Sequence, residues 1–275
     1  MIKLNRDSKT KELKATTGLK TQSWRLYKSG QNKPFTISRS GFSDFLDCQR
    51  CFYLNKVKGL KDIDTIPFSL NNTVDELVKK EFDHCRERKI PHEVMKEYKL
   101  SAIPFMHKDL EKWRASRTAG IKYEHSELNL ILRGGVDDLW VIKKSNPPEL
   151  IIVDYKAQSK NKEVEKEDYL NDIYHQGYKL QLEFYRYLFV KNGFKVYPKG
   201  YFLVYNALKS RESLGKEMKF ERVLIEYEYE RSVEKIEEMV RDMKKVLDSK
   251  KIPKLNPYCQ NCAYTNAGSK FIKSK

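Results

Sequence analysis

Residues 132–158, LRGGVDDLWVIKKSNPPELIIVDYKAQ, read as two strands joined by a turn. Val136 to Lys143 form the first run, Ser145-Asn146-Pro147-Pro148 break it, and Glu149 to Lys156 form the second. Leu150-Ile151-Ile152-Val153 is apolar on both faces until it ends in Asp154-Tyr155-Lys156. That is the profile of a central strand delivering its last residues into a site. Side chains alternate along a strand, so Asp154 and Lys156 share a face and Tyr155 points away. Gly134-Gly135, just before Asp137, leaves room for a ligand or another backbone to come near. Two carboxylates, Asp137 and Asp154, converging beside a lysine offer hard oxygen ligands to Mg²⁺ or Mn²⁺ and an ammonium to an anionic substrate. Asp138 faces the other way in a regular strand and is expected to be structural. A bare Asp-x-Lys is common on surface hairpins. What sets this one apart is Gly-Gly-Val-Asp, then an apolar strand, then Asp-Tyr-Lys.

Downstream, a helix predicted over residues 166–191 aligns Tyr174, Gly177, Tyr178, Gln181, Tyr185 and Leu188, so Gln181 is an amide inside an aromatic stripe and must find a partner. Upstream, a helix over 70–88 carries Val74, Leu77, Val78, Phe82 and Cys85 as its apolar stripe. Glu81 falls in the middle of that stripe and Asp75 at its edge. A carboxylate there needs a cationic partner or a metal. An earlier helix, with Ser40 as N-cap and Gly59 as its stop signal, carries Cys48 and Cys51. Further elements are a helix over 105–117, strands over 121–124, 127–132, 196–206 and 220–228, and a helix over 232–249. The alternation Val-Leu-Ile-Glu-Tyr-Glu-Tyr-Glu marks the last strand as a sheet edge or a half-solvated strand. Pro253 and Pro257 then introduce Cys259 and Cys262 ahead of a short basic tail.

Across 275 residues, 54 Lys and Arg against 38 Asp and Glu give a net charge of +16. Residues 1–36 hold nine basic side chains against Asp7 and Glu12, an excess of 9 − 2 = +7. This arm shows no sustained period and is expected to be flexible, and its charge suits a polyanion through counterion release. Trp24 and Tyr27 within it could stack on bases. No apolar run approaches the roughly 20 residues that span a bilayer, and the first residues lack a secretory apolar segment, so a cytoplasmic protein with no membrane partner is expected.

Five cysteines in such a chain argue against a disulfide framework. Cys48/Cys51 and Cys259/Cys262 are two C-x-x-C pairs, and together they can enclose one ion in a tetrahedral S₄ site that joins the N- and C-terminal segments. Cys85, on the apolar stripe, is a core residue.

Gly134 to Asp137, Asp154-Tyr155-Lys156 and Gln181-x-x-x-Tyr185 occur in this order, and in this order they resemble the PD-(D/E)XK nuclease superfamily, in particular its RecB-like and CRISPR-associated exonuclease branch. The resemblance spans roughly Phe42 to Tyr264. It implies a restriction-endonuclease-like α/β core with a central mixed β-sheet flanked by helices, and metal-dependent hydrolysis of DNA. It further implies that Gln181 and Tyr185 lie against the site, and that Asp137, Asp154 and the Tyr155 carbonyl bind metal beside a catalytic Lys156. Where the family's first helix usually supplies a metal-binding His, this chain has Asp75, with Glu81 as the fallback. The family's [4Fe–4S] cluster uses one early and three late cysteines. Here two are early and two late, which leaves an iron–sulfur cluster and Zn²⁺ both open. The domain expected is therefore 37–275, preceded by the arm 1–36. A non-cleaving binding module of the same fold and an RNA nuclease are the rival readings.

Overall fold

Glu149–Gln158 is the strand on which the sheet is assembled. The computed structural model describes residues 4–7, 9–63, 69–143, 145–209 and 216–273. The early elements are β1 (Phe35–Ser38), α1 (Arg39–Asp47), α2 (Gln49–Lys56), α3 (Ser69–Glu87), α4 (Glu93–Glu97), β2 (Ala102–Pro104) and α5 (Leu110–Arg114). Next come β3 (Ile121–His125), β4 (Leu130–Gly134), β5 (Asp138–Ile142), β6 (Glu149–Gln158), α6 (Lys166–Asn171) and α7 (Gln176–Lys191). The chain closes with β7 (Lys195–Val196), β8 (Lys199–Ala207), β9 (Phe220–Glu228), α8 (Val233–Asp248) and α9 (Gln260–Lys273). Among the described residues no helix is long and apolar enough to cross a membrane.

These residues form two compact units, one from Phe68–His125 and Ile131–Glu238, the other from Met1–Pro67, Ser126–Leu130 and Met239–Lys275. The first contains a mixed sheet in the order β2-β5-β6-β8-β9, with β7 also paired to β6. β6 runs antiparallel to β5 and parallel to β8, in the register Asp138↔Val153 and Asp154↔Phe202. Residues 150–155 are all buried, as an apolar central strand requires. Each of Leu150, Ile151, Ile152 and Val153 stabilises the sheet by roughly 1.5–3 kcal/mol on burial. β9, the strand with alternating Glu and Tyr, lies at the sheet's edge.

Helices cover both faces of this sheet. On the side of Val153 and Tyr155, Phe82 of α3 stacks on Trp140 at 5.2 Å and tilts onto Tyr155 at 5.6 Å. α7 lies on the side of Asp154, to which its Gln181 is bonded. Asp138, with no exposed surface, sits on the Tyr155 side. It accepts from Arg86, from Arg114 (2.8 Å), from the Trp140 indole (3.2 Å) and from the Tyr155 hydroxyl (2.7 Å). Its structural role follows from these bonds: a buried carboxylate is held by two guanidiniums that are themselves buried.

Several expected elements are redrawn. The stripe on α3 is Val78, Phe82 and Arg86, while Leu77 is 53% exposed, because the helix turns its buried face toward Trp140 and Asp138. The helix expected over 105–117 shrinks to α5. Residues 102–104 pair with β5, and Phe105 N–H bonds Leu139 O, which holds that stretch extended. The helix expected over 166–191 breaks at Asp172. That residue is extended and caps the turn Ile173–His175 by accepting from Tyr174 N–H, which leaves Tyr174 exposed rather than in the stripe. α4 and β2 were not anticipated.

In the second unit, one expected helix becomes two. Ser38, not Ser40, caps α1, and the chain turns extended at Cys48 before α2. The arm is not free along its second half. Tyr27 is buried, its hydroxyl donates to Asp248 at 2.5 Å, and Lys20 Nζ bonds Asn55 Oδ1 at 2.6 Å. Tyr27 is thus unavailable for base stacking, whereas Trp24 stays exposed with Arg25 over its ring at 4.9 Å. The expected C-terminal tail is the helix α9.

Asp138→Ala leaves two buried guanidiniums with only the half-exposed Asp83 as a carboxylate they share, and is expected to cost about 3–5 kcal/mol in urea denaturation, against less than about 1 kcal/mol for an exposed ion pair. A loss at the level of an exposed pair would remove Asp138 from its central place in the packing.

Candidate active site

The end of β6 gathers most of the residues expected at the site. Asp154 is fully buried at the close of the apolar run, and Lys156 follows on the same face, ion-paired to it. The Lys156 ammonium also lies 4.4 Å over the Tyr178 ring of α7. Gln181 donates to Asp154 Oδ1 at 2.7 Å and to the Tyr185 hydroxyl at 3.2 Å, which accounts for the amide inside the aromatic face. Tyr185 comes this close because Gly134 has no side chain. A Cβ at residue 134 would lie 2.5 Å from the ring's Cε1. Gly135 likewise admits a neighbouring backbone, as a Cβ there would stand 2.5 Å from Ser116 Cα.

Asp137 stands just before β5 and accepts the Tyr155 N–H at 2.9 Å, so the main chain of β6 orients one carboxylate while its side chains present another. The Tyr155 ring points away to Asp138, as strand alternation demands, and its carbonyl lies between Asp154 and Lys156 along the strand. Asp75 of α3 completes the group from above, with Lys79 one helical turn on. The Lys79 ammonium is 2.7 Å from Asp75 and 3.8 Å from Asp137. Glu81, the fallback, is not with them. Its side chain is 53% exposed and reaches the Tyr205 hydroxyl at 3.5 Å and His92 Nε2 at 3.6 Å.

Electrostatics fit a cation. Burial pushes the Asp154 carboxyl up to about 7, with Asp137 adding to the rise and Lys156 opposing it. Burial, then the Asp137 charge, raises Asp75, against the pull of Lys79. Asp75, Asp137 and Asp154 together offer hard oxygen donors of the kind that suit Mg²⁺ or Mn²⁺. They are more open than a closed coordination shell. Among the described residues, the one group of metal-ligating side chains whose ligand atoms all lie within 4.8 Å is Cys48, Cys51, Cys259 and Cys262. Lys79 and Lys156 neutralise the carboxylates in this state, and a cation must compete with both. Lys79 was legible as the i+4 partner of Asp75. Tyr178 was read only as a stripe residue.

The cysteines form a second site from two copies of one device. Cys48 precedes α2 and its thiol accepts the Cys51 N–H at 3.5 Å, while Cys259 precedes α9 and is lowered by the Cys262 N–H. Burial, then the neighbouring sulfurs, pushes the Cys51 thiol well up. Sulfur separations are 3.5 Å for Cys48–Cys262 and 3.6 Å for Cys51–Cys259 and Cys51–Cys262, with no disulfide. Bonds of about 2.3 Å to one tetrahedral ion put sulfurs roughly 3.8 Å apart. The thiols therefore fit a single ion and are tighter than the corners of an iron–sulfur cube require.

A model of the PD-(D/E)XK nuclease superfamily matches residues 68–267. Among solved structures, a protein from Eubacterium rectale assigned as an exonuclease is similar over 88% of this chain and 88% of its own, at 13% identity and a TM-score of 0.39. The structure of SSO0001 is similar over 86% of this chain and 87% of its own, at 12% identity and a TM-score of 0.37. No curated protein matches the chain.

The raised Asp154 carboxyl has a thermodynamic signature. Its folded value of about 7 lies above the ordinary 3.8, so between those limits the folded chain keeps a proton that the unfolded chain has lost. Stability from this group is complete below about pH 4 and is lost as pH rises through 7. In metal-free buffer at pH 8, Asp154→Asn is expected to melt several degrees above wild type, at roughly 2–4 °C per kcal/mol recovered, and to differ little at pH 4. A lower melting temperature at pH 8 would show that Asp154 is not a strained carboxylate.

Proposed function

The chain belongs to the PD-(D/E)XK nuclease superfamily, and from that premise we propose a metal-dependent nuclease of the RecB-like branch that hydrolyses DNA phosphodiester bonds. The observation that carries this reading is the meeting of Asp75, Asp137 and Asp154 with Lys156 at one end of β6, backed by Gln181 and Tyr185. Mg²⁺ or Mn²⁺ would be held by the three carboxylates and the Tyr155 carbonyl, and it supplies Lewis acidity toward phosphate and water. Lys156 offers its ammonium to the charge that develops on the phosphate oxygens. The Tyr178 ring keeps that ammonium over the site when its ion pair with Asp154 loosens. Gln181 fixes the orientation of Asp154 through Oδ1 and leaves Oδ2 to ligation, while Tyr185 holds the amide in turn. Asp137, tied to the Tyr155 N–H, can present only its remaining oxygen.

Residues 37–275 serve in this reading as the nuclease-like domain, and residues 1–36 as a basic extension that adds +7 toward the phosphate backbone. DNA is preferred to RNA on the likeness of the three motifs to RecB-like nucleases. For the four cysteines we favour one structural Zn²⁺ over the iron–sulfur cluster, on the sulfur spacing. Free thiols suit a reducing compartment, and we assign the cytoplasm.

Single- and double-stranded DNA incubated with Mn²⁺ should be cut by wild type, and Lys156→Ala and Asp154→Ala should each lower the rate by about 10²–10³-fold. Equal cleavage by all three proteins would expose a contaminant and leave a binding module. Cleavage of RNA without cleavage of the matched DNA would move the substrate to RNA. The purified protein should be colourless with about one zinc per chain, and Cys48→Ser should lose it. A brown protein carrying iron and sulfide would restore the cluster.

A further inference from the structure

We propose that the hollow between the end of β6 and α6 seats the base of the nucleotide next to the scissile phosphate, in a single strand, and favours bases that carry an exocyclic amine. This rests on the nuclease reading above. A cavity of about 350 Å³ opens there, and Gln158 and Tyr169 line it. The Gln158 amide nitrogen and the Tyr169 hydroxyl are both buried and make no hydrogen bond. Tyr169 as a whole is 3% exposed. Buried polar groups are nearly always satisfied, and these two, on residues that line the hollow but closed off from its open space, are completed by a base when the wall adjusts around it.

Position ties this cavity to the reaction. Gln158 continues the face of β6 that bears Asp154 and Lys156, two residues past the lysine and roughly 7 Å further along the strand. That is a step on the scale of one nucleotide. In a duplex the exocyclic amines and ring acceptors that this wall would read are engaged in base pairing, which favours an unpaired strand.

Charge decides which part of the nucleotide enters. Glu163, Glu165 and Asp168 line the cavity against Lys162, while Lys160 is already paired with Asp172 at 2.8 Å. Phosphate is repelled by such a wall. The amino groups of cytosine, adenine and guanine can donate to these carboxylates, whereas thymine offers no exocyclic amine. The Gln158 N–H donates to a ring acceptor, and the Tyr169 hydroxyl can serve either way. Beside the cavity Ile173 and Tyr174 are 75% and 85% exposed, and Tyr174 N–H is held by Asp172 at 3.0 Å. That ring is a platform for the following base.

The test compares single-stranded oligo(dC) and oligo(dT) with the full-length protein and Mn²⁺, using wild type, Gln158→Leu and Tyr169→Phe. Wild type is expected to show kcat/KM about tenfold higher on oligo(dC), since a site built to hydrogen-bond a group rejects the analogue that lacks it. Each variant should bring the ratio within about threefold, through KM rather than kcat. Tyr169→Phe should keep or raise the melting temperature, because its hydroxyl has no partner to lose. Equal rates on the two oligomers, an unchanged ratio in both variants, or cleavage of duplex alone would overturn the base pocket and leave the nuclease reading standing. A wild type that cuts no nucleic acid would overturn both.

Discussion

A carboxylate at the end of a buried strand is the constraint that the rest of the site answers to. Asp154 gives up all contact with water, and both Asp137 and its own burial oppose its charge. Such a group persists only where its surroundings supply compensation. Here the compensation comes from two directions: the Lys156 ammonium and the Gln181 amide. The surrounding apolar strand is what makes the position possible at all. Without the burial of Leu150 to Val153, nothing would fix a carboxylate where it is least stable and most useful.

The alternation of β6 divides labour between the two faces of one sheet. Even-numbered side chains 154, 156 and 158 share one face, while Tyr155 on the other donates to Asp138, which Arg86 and Arg114 hold. Two adjacent aspartates therefore have opposite fates. Asp137 takes a backbone N–H and turns its other oxygen toward Lys79, whereas Asp138 spends its lone pairs within the core. The guanidiniums lock the tilt of Tyr155, and Tyr155 N–H in turn aims Asp137. Packing on one face thus sets geometry on the other.

Much of this was legible because it rests on short-range periodicity. The apolar run of β6 and the alternating register of Asp154 and Lys156 follow from a period of two, and so does the edge position of β9. What stayed hidden depends on partners far away in sequence. Arg86 looks like a surface residue until Asp138, 52 positions on, is seen beside it. Tyr27 looks free until Asp248, 221 positions on, takes its hydroxyl. The break at Cys48 was masked because Phe45 and Phe52 stand seven residues apart, so helical spacing continues across a cap. Leu77 misled for the converse reason: an apolar residue on a helix need not face inward when the stripe is already filled by Phe82 and a paired arginine.

The doubled cysteine cap has a mechanical meaning. With an ion in place, Cys48 and Cys51 are fastened to Cys259 and Cys262, and the polypeptide between them becomes a closed ring. Tension applied outside that ring is shared between the sulfur–metal bonds and the contacts of Lys20 with Asn55 and of Tyr27 with Asp248, so little of it runs along the chain between Phe52 and Tyr258. An enzyme tugged by a moving polymer could be pulled at its extremities without its sheet being drawn apart.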